Sequence, residues 1–159
     1  MKTIQDNHLA YWEDSCLTED FLRWCGDDKY WQHVVAEWIG SSKYQSILDV
    51  GCGTGVMYEV LRQVEYEFLE NYKGMDITPR WIELCKAKGI PSFVGDSRNL
   101  VGPSGDKIPD SSYDCVLCLD ILNHQVEFEN TLSEALRVAK KAVLVSFFKP
   151  FETPSRIVQ

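Results

Sequence analysis

An α/β fold, with a mostly parallel sheet of about five strands flanked by helices, is what this sequence predicts, and three observations carry the prediction. From Ser46 to Phe148 short apolar runs alternate with amphipathic stretches, the pattern of parallel strands joined by crossover helices. Tyr113 to Leu119 is almost continuously apolar, as expected for a strand covered by helices on both faces. Gly51-Cys52-Gly53-Thr54-Gly55 joins the first strand to the first helix of this region, and glycine there lets the backbone turn sharply and approach a ligand.

The elements follow in order. The first 44 residues hold four of the five tryptophans (Trp12, Trp24, Trp31, Trp38) with Tyr11, Phe21, Tyr30 and Tyr44, and predict a helical cap. Trp31, Val34, Val35 and Trp38 share one helical face, and Asp27 or Asp28 is placed to cap that helix. The aromatic cluster reads either as packing against the sheet or as a lid over a ligand, and the two are compatible. Ile47 to Val50 is the first strand, and Val56 to about Phe68 a helix, with Val56, Val60, Leu61 and Val64 at helical spacing. Tyr72 to Asp76 is the second strand. Thr78 and Pro79 open a helix that stops at Gly89, with Pro91 beyond. Ser92 to Val94 is a third strand, Leu100 to Asp110 a loop rich in Gly and Pro, and Tyr113 to Leu119 the fourth strand. Phe128, Leu132, Ala135, Leu136 and Ala139 mark the core face of a last helix, and Ala142 to Phe148 a fifth strand.

At 159 residues and 45% apolar composition the chain suits one domain: a cap over 1–44, a core over 45–148 and a tail over 149–159. No stretch approaches the roughly 20 apolar residues of a membrane span, and the N-terminus lacks a signal-peptide pattern, so the expectation is a cytoplasmic protein away from membranes. The six cysteines are scattered and read as reduced thiols. A net charge of −8, with no basic face, argues against nucleic acid as a partner. Arg137, Lys140, Lys141 and Lys149 are the nearest candidate patch, and they fit better as cations at a helix end and its following strand. Cys115 and Cys118 form C-x-x-C on a strand, where residues three apart face opposite sides, so no metal site is expected.

The glycine turn gains meaning from Asp76, which closes the next strand at a suitable distance to accept from both hydroxyls of a ribose. The spacing is G-x-G-x-G. Val56 stands where a dinucleotide fingerprint requires its last glycine, and no Lys follows as in a phosphate loop. Asp120 and His124 follow the fourth strand, at the carboxyl edge where such sheets bind ligands. They are the candidate bases for an acceptor that must lose a proton, and a capping Asp and a packing His are their alternatives. His8, Tyr11 and Trp12 of the cap read as core residues before site residues.

With Leu48-Asp49-Val50-Gly51-Cys52-Gly53-Thr54-Gly55 as first motif, Gly74-Met75-Asp76-Ile77 as second, Phe93-Val94-Gly95-Asp96-Ser97 as third and Tyr113 to Asp120 as fourth, residues 45 to 148 resemble the class I S-adenosylmethionine-dependent methyltransferases, particularly their small-molecule group. The resemblance implies a Rossmann-like sheet of strand order 3-2-1-4-5 and S-adenosylmethionine as methyl donor, with S-adenosylhomocysteine as product. It implies that Gly51, Cys52, Gly53 and Gly55 form the turn beside the methionine moiety, with Asp49 supporting it. It places Asp76 on the ribose, Ile77 against the adenine ring, Asp96 on the adenine amino group and Ser97 beside it through its backbone N–H. Cys118 and Leu119 would line the cleft through their backbone.

Leu119-Asp120-Ile121-Leu122 lacks the Asn/Asp-Pro-Pro-aromatic segment of members that methylate nucleic-acid amines, and no paired-glutamate hairpin of protein arginine methyltransferases is visible, so the expected acceptor is a small molecule. Members continue after the fifth strand into a helix and an antiparallel pair, whereas this sequence ends eleven residues after Phe148. The expectation is a fragment, or a sheet edge covered by a second copy or a partner chain. Two further readings stay open: a non-catalytic S-adenosylmethionine-binding module, and an NAD-dependent oxidoreductase domain, which Val56 disfavours.

Overall fold

The computed structural model describes residue 23 and residues 26–66, 69–125 and 127–147. Its centre is one sheet of five parallel strands in the order β3-β2-β1-β4-β5. The strands are β1 (Ile47–Val50), β2 (Tyr72–Asp76), β3 (Ser92–Val94), β4 (Tyr113–Leu119) and β5 (Ala139–Ser146), and the helices among the described residues are α1 (Tyr30–Ser42), α2 (Val56–Gln63), α3 (Pro79–Ala87) and α4 (Glu129–Val138). The expected fold class and strand order are both found.

Alternation along the strands builds two cores. Ile47, Tyr72, Cys115 and Leu117 face Ala36 and Ile39 of α1, Met57, Val60 and Leu61 of α2 and Ile82 and Cys85 of α3. Leu48, Val50, Met75, Phe93, Val116 and Cys118 face Ala135 and Val138 of α4. Right-handed crossovers require this split, because the chain winds from β1 toward β3 and then from β4 toward β5 in the opposite direction. Cys115 and Cys118 accordingly lie in different cores. No helix covers the crossover from β3 to β4; Leu100 and Ile108 of that loop are buried in the second core instead.

Four expectations need correction. Helix α2 ends at Gln63, short of Phe68, because Glu65 takes a left-handed φ of 53° and the chain closes a Schellman motif. Tyr66 N–H reaches the Leu61 carbonyl at 3.1 Å, and Glu65 N–H that of Arg62 at 3.2 Å. In α1, Trp38 and Val34 are exposed and the buried residues are Ala36 and Ile39, so the tryptophan stripe is not the core face. Asp28 does not cap α1: its carboxylate pairs with His33 Nε2 at 2.8 Å, and Gln32 Oε1 accepts from Lys29 N–H at 2.7 Å. In α4 the buried residues are Thr131, Ala135 and Val138, Leu136 is exposed, and Ala139 already begins β5 by pairing with Tyr113. His8, Tyr11, Trp12, Phe21, Trp24, Phe68 and Phe148, and with them most of the cap and the tail, lie outside the described residues.

Candidate functional site

All four motif segments end at the carboxyl edge of the sheet, and the strand order reverses between β1 and β4, the switch point where open α/β sheets bind ligands. The turn after β1 uses left-handed backbone at Gly51 (φ 78°), Gly53 (φ 52°) and Gly55 (φ 82°), a region that costs a side-chain-bearing residue roughly 1–2 kcal/mol. The three glycines differ in their surroundings. A Cβ on Gly55 would stand 2.4 Å from Ile90 Cδ1, and one on Gly51 2.9 Å from Ile121 Cδ1, whereas one on Gly53 would meet nothing within 4 Å. Gly53 therefore faces open space, while Gly51 and Gly55 are packed.

The turn is fastened to β2. Gly51 and Cys52 both donate to the Met75 carbonyl, at 2.7 and 3.0 Å. Gly53 N–H donates to Asp76 Oδ2 at 3.0 Å, and Thr78 N–H to Oδ1 at 2.9 Å. Burial raises the Asp76 carboxyl above its ordinary range, and the N–H groups of Thr78 and Gly53 oppose it. Each oxygen of the carboxylate keeps a lone pair beyond its backbone bond. Asp49, directly below, is 3% exposed and accepts from the Tyr72 hydroxyl at 2.5 Å. Burial pushes its carboxyl up to about 6, the Tyr72 bond pulls it down, and the Asp76 charge adds to the rise. The Cys85 thiol of α3 closes the far side by donating to the Gly53 carbonyl at 3.2 Å.

After β3, Asp96 is engaged by a near residue. Arg98 donates to it through its backbone N–H, Nε and Nη2, the last at 2.5 Å. Burial works against the Asp96 charge, yet the Arg98 bonds hold its carboxyl below the ordinary value. The Ser97 hydroxyl is bonded to Thr131 and Gln125. Ile77 is half-buried beyond Asp76.

At the end of β4, Cys118 is buried and Leu119 half-buried. Asp120 has a left-handed φ of 57° and is tied to the end of β5. Its N–H reaches Ser146 Oγ at 3.0 Å, and its Oδ1 accepts from the same hydroxyl at 2.7 Å. His124 ends a 3-10 turn, Leu122–His124, and Ile121 of the same segment packs on Gly51. The glycine turn and Asp76 are thus in direct contact, and Asp120 stands on the neighbouring strand end. Sequence reasoning missed Tyr72, Arg98, Gln125, Thr131 and Ser146. Only Arg98, two residues from Asp96, carried a local signal, since an Asp two residues ahead favours a turn closed on its own carboxylate.

No group of His, Cys, Asp and Glu suited to a metal occurs among the described residues, and no helix among them is long and apolar enough to cross a membrane.

Residues 48–147 match the family described as a methyltransferase domain. The demethylmenaquinone methyltransferase of Tropheryma whipplei (strain Twist) is 26% identical over 127 residues, which are 77% of this chain and 50% of that protein. The norajmaline N-methyltransferase of Rauvolfia serpentina is 31% identical over 108 residues, 62% of this chain and 34% of that protein. The chain therefore spans half the length, or less, of these relatives. Among solved structures, the magnesium protoporphyrin IX methyltransferase of Synechocystis PCC 6803 with bound S-adenosylhomocysteine superposes with a TM-score of 0.63 at 20% identity, covering 86% of this chain and 70% of that one. Family match and fold agree, and the chain belongs to the methyltransferase domain family.

Proposed function

We propose that this chain binds S-adenosylmethionine and transfers its methyl group to a small-molecule acceptor. The observation that carries the reading is the Gly53–Asp76 corner. Two backbone N–H groups aim a half-buried carboxylate while leaving lone pairs for two ribose hydroxyls, and Gly53 keeps the adjoining space open. The packing of the turn fits the same ligand, because a phosphate would meet Asp76, and Lys88, which reaches the turn, is engaged by the Thr54 carbonyl and Glu59.

Bound S-adenosylmethionine would supply a carbon already activated by a sulfonium. The task left to the protein is to align donor and acceptor and exclude water. In this reading Gly51, Cys52, Gly53 and Gly55 border the methionine end, Asp49 stiffens the turn through Tyr72, and Asp76 orients the ribose. Ile77 and Ser97 flank the purine, where Asp96 offers what Arg98 leaves of its acceptor capacity. Cys118 and Leu119 form the floor. Asp120 and His124 stand on the acceptor side as candidate bases, and Asp120 already accepts from the Ser146 hydroxyl. The names of two similar proteins, which methylate demethylmenaquinone and norajmaline, support a small organic acceptor. A single domain in a cytoplasmic setting, with a second copy or partner chain on the β5 edge, completes the proposal.

The commitment of Asp120 to Ser146 favours one other reading, a cofactor-binding module without turnover. Methyl transfer from labelled S-adenosylmethionine to a panel of phenols, amines and quinols separates the two. Turnover that falls roughly 100-fold in His124→Ala, with S-adenosylhomocysteine affinity retained, supports a base at this position. Binding with no turnover on any acceptor favours the module, and no binding overturns both.

A further inference from the structure

Ser97, Gln125 and Thr131 come from three parts of the chain: the loop after β3, the residue after the 3-10 turn, and the first turn of α4. Their side chains close a ring. Gln125 Nε2 donates to Ser97 Oγ at 2.9 Å, Thr131 Oγ1 donates to Gln125 Oε1 at 2.6 Å, and the two hydroxyl oxygens lie 3.0 Å apart. A hydroxyl has one proton. Thr131 gives its proton to Gln125, so the proton between the hydroxyls comes from Ser97. Every hydroxyl then donates once and accepts once, in one direction around the ring, so that each bond polarises the next.

The ring sits on a buried base, since Thr131 is 0% exposed. One turn further along α4, Glu134 accepts from Leu100 N–H at 3.0 Å. The loop over residues 96–100 is therefore pinned at two points on one face of α4, while Asp96 and Arg98 close on each other. Gln125 alone in the ring belongs to the short segment between β4 and α4.

We propose that Gln125 is a positioning residue for the purine end of the cleft: by holding Ser97 through the ring, it sets where the Ser97 N–H stands and how well the chain distinguishes adenine from other purines. The proposal rests on the S-adenosylmethionine reading above. An N–H donor aimed at the purine accepts the bare N1 of adenine and opposes the protonated N1 of hypoxanthine, and a site built on such a bond rejects the mismatched ligand.

Calorimetric titration with S-adenosylhomocysteine and with S-inosylhomocysteine, which differs only at the base, reads this discrimination. Gln125→Leu removes both ring bonds at similar volume. It is expected to weaken S-adenosylhomocysteine about tenfold and to erode its preference over the inosine compound by a similar factor. Gln125→Glu offers both hydroxyls an acceptor but turns the Ser97 proton away from Thr131, so it keeps only part of the preference, and Thr131→Val, which breaks the ring from the buried side, lowers it in the same direction if Gln125→Leu does not fold. Equal weakening of both ligands, or unchanged S-adenosylhomocysteine affinity, overturns the proposal while leaving the cofactor reading intact. A wild-type chain that binds neither ligand overturns the cofactor reading itself, before any variant is made.

Discussion

Asp76 and Asp120 occupy equivalent places, one closing β2 and the other following β4, yet the chain holds them in opposite ways. Asp76 is gripped by backbone, through Gly53 and Thr78, and its side chain is aimed whatever residues surround it. Asp120 is gripped by one side chain, Ser146, and stands in left-handed backbone. A carboxylate aimed by the fold suits a ligand part that never varies. In the proposed reading, one aimed by a replaceable serine suits the acceptor side.

The largest expected effect tests that contrast. Asp76→Ala removes two charge-assisted acceptors and weakens S-adenosylhomocysteine by roughly 100-fold or more in a calorimetric titration, whereas Asp120→Asn changes it by no more than about threefold. Similar losses in both variants would erase the distinction. Next comes the clamp under the β4 side. Glu134 accepts from Leu100 N–H and from Arg137 Nε and Nη2, the latter two at 2.8 and 2.7 Å. Glu134→Gln is expected to cost roughly 2 kcal/mol of stability in denaturant unfolding. A change within error would show that the clamp holds nothing.

The glycines sharpen the comparison within one turn. Gly55→Ala, packed against Ile90 and Cys85, should lower stability by more than the roughly 1–2 kcal/mol of the backbone strain alone. Gly53→Ala pays the backbone strain without the packing conflict and should lose proportionately more ligand affinity than stability. The reverse ranking in paired melting and binding measurements would contradict the assignment of Gly53 to the open side.

The last comparison is in pH, where the two sides titrate with opposite sign. Bonds from Arg137 hold Glu134 at about 2, below its ordinary 4.5, so it contributes stability above pH 4.5 that is lost as pH falls toward 2. Burial lifts Asp49 from 3.8 to about 6, so the folded chain holds the extra proton and stability falls as pH rises through that window. Unfolding curves should show the gap between wild type and Glu134→Gln closing on acidification. From pH 4 to 6, Asp49→Asn should lose less stability than wild type.

Legibility followed the range of the interactions. The stop of α3 was readable because Gly89 takes the left-handed position that closes its Schellman motif. The same motif ends α2 at Glu65, where no residue type announces it, and the helix was read too long. Strands β1 and β4 matched because their apolar runs report burial on both faces, whereas β2 and β3 carry exposed Lys73 and Val94 and were placed by the elements around them. Helix α4 was misread because it passes into β5 without a breaker, and α1 because its bulky aromatics lie beside, rather than on, the stripe of Ala36 and Ile39. The glycine turn and Asp76 were legible since their spacing is local to one β-α-β unit. Tyr72 on Asp49, Ser146 on Asp120 and Gln125 on Ser97 join residues 23, 26 and 28 positions apart, and no periodicity encodes such pairs.

The proposed function turns on the Gly53–Asp76 corner binding the ribose of S-adenosylmethionine. Titration of the chain with S-adenosylhomocysteine, with NAD in a parallel cell, tests it most directly. Saturable one-to-one binding of S-adenosylhomocysteine, weakened roughly 100-fold or more in Asp76→Ala, is expected, with no heat from NAD. Binding of NAD without S-adenosylhomocysteine, or S-adenosylhomocysteine affinity unchanged in Asp76→Ala, would contradict it.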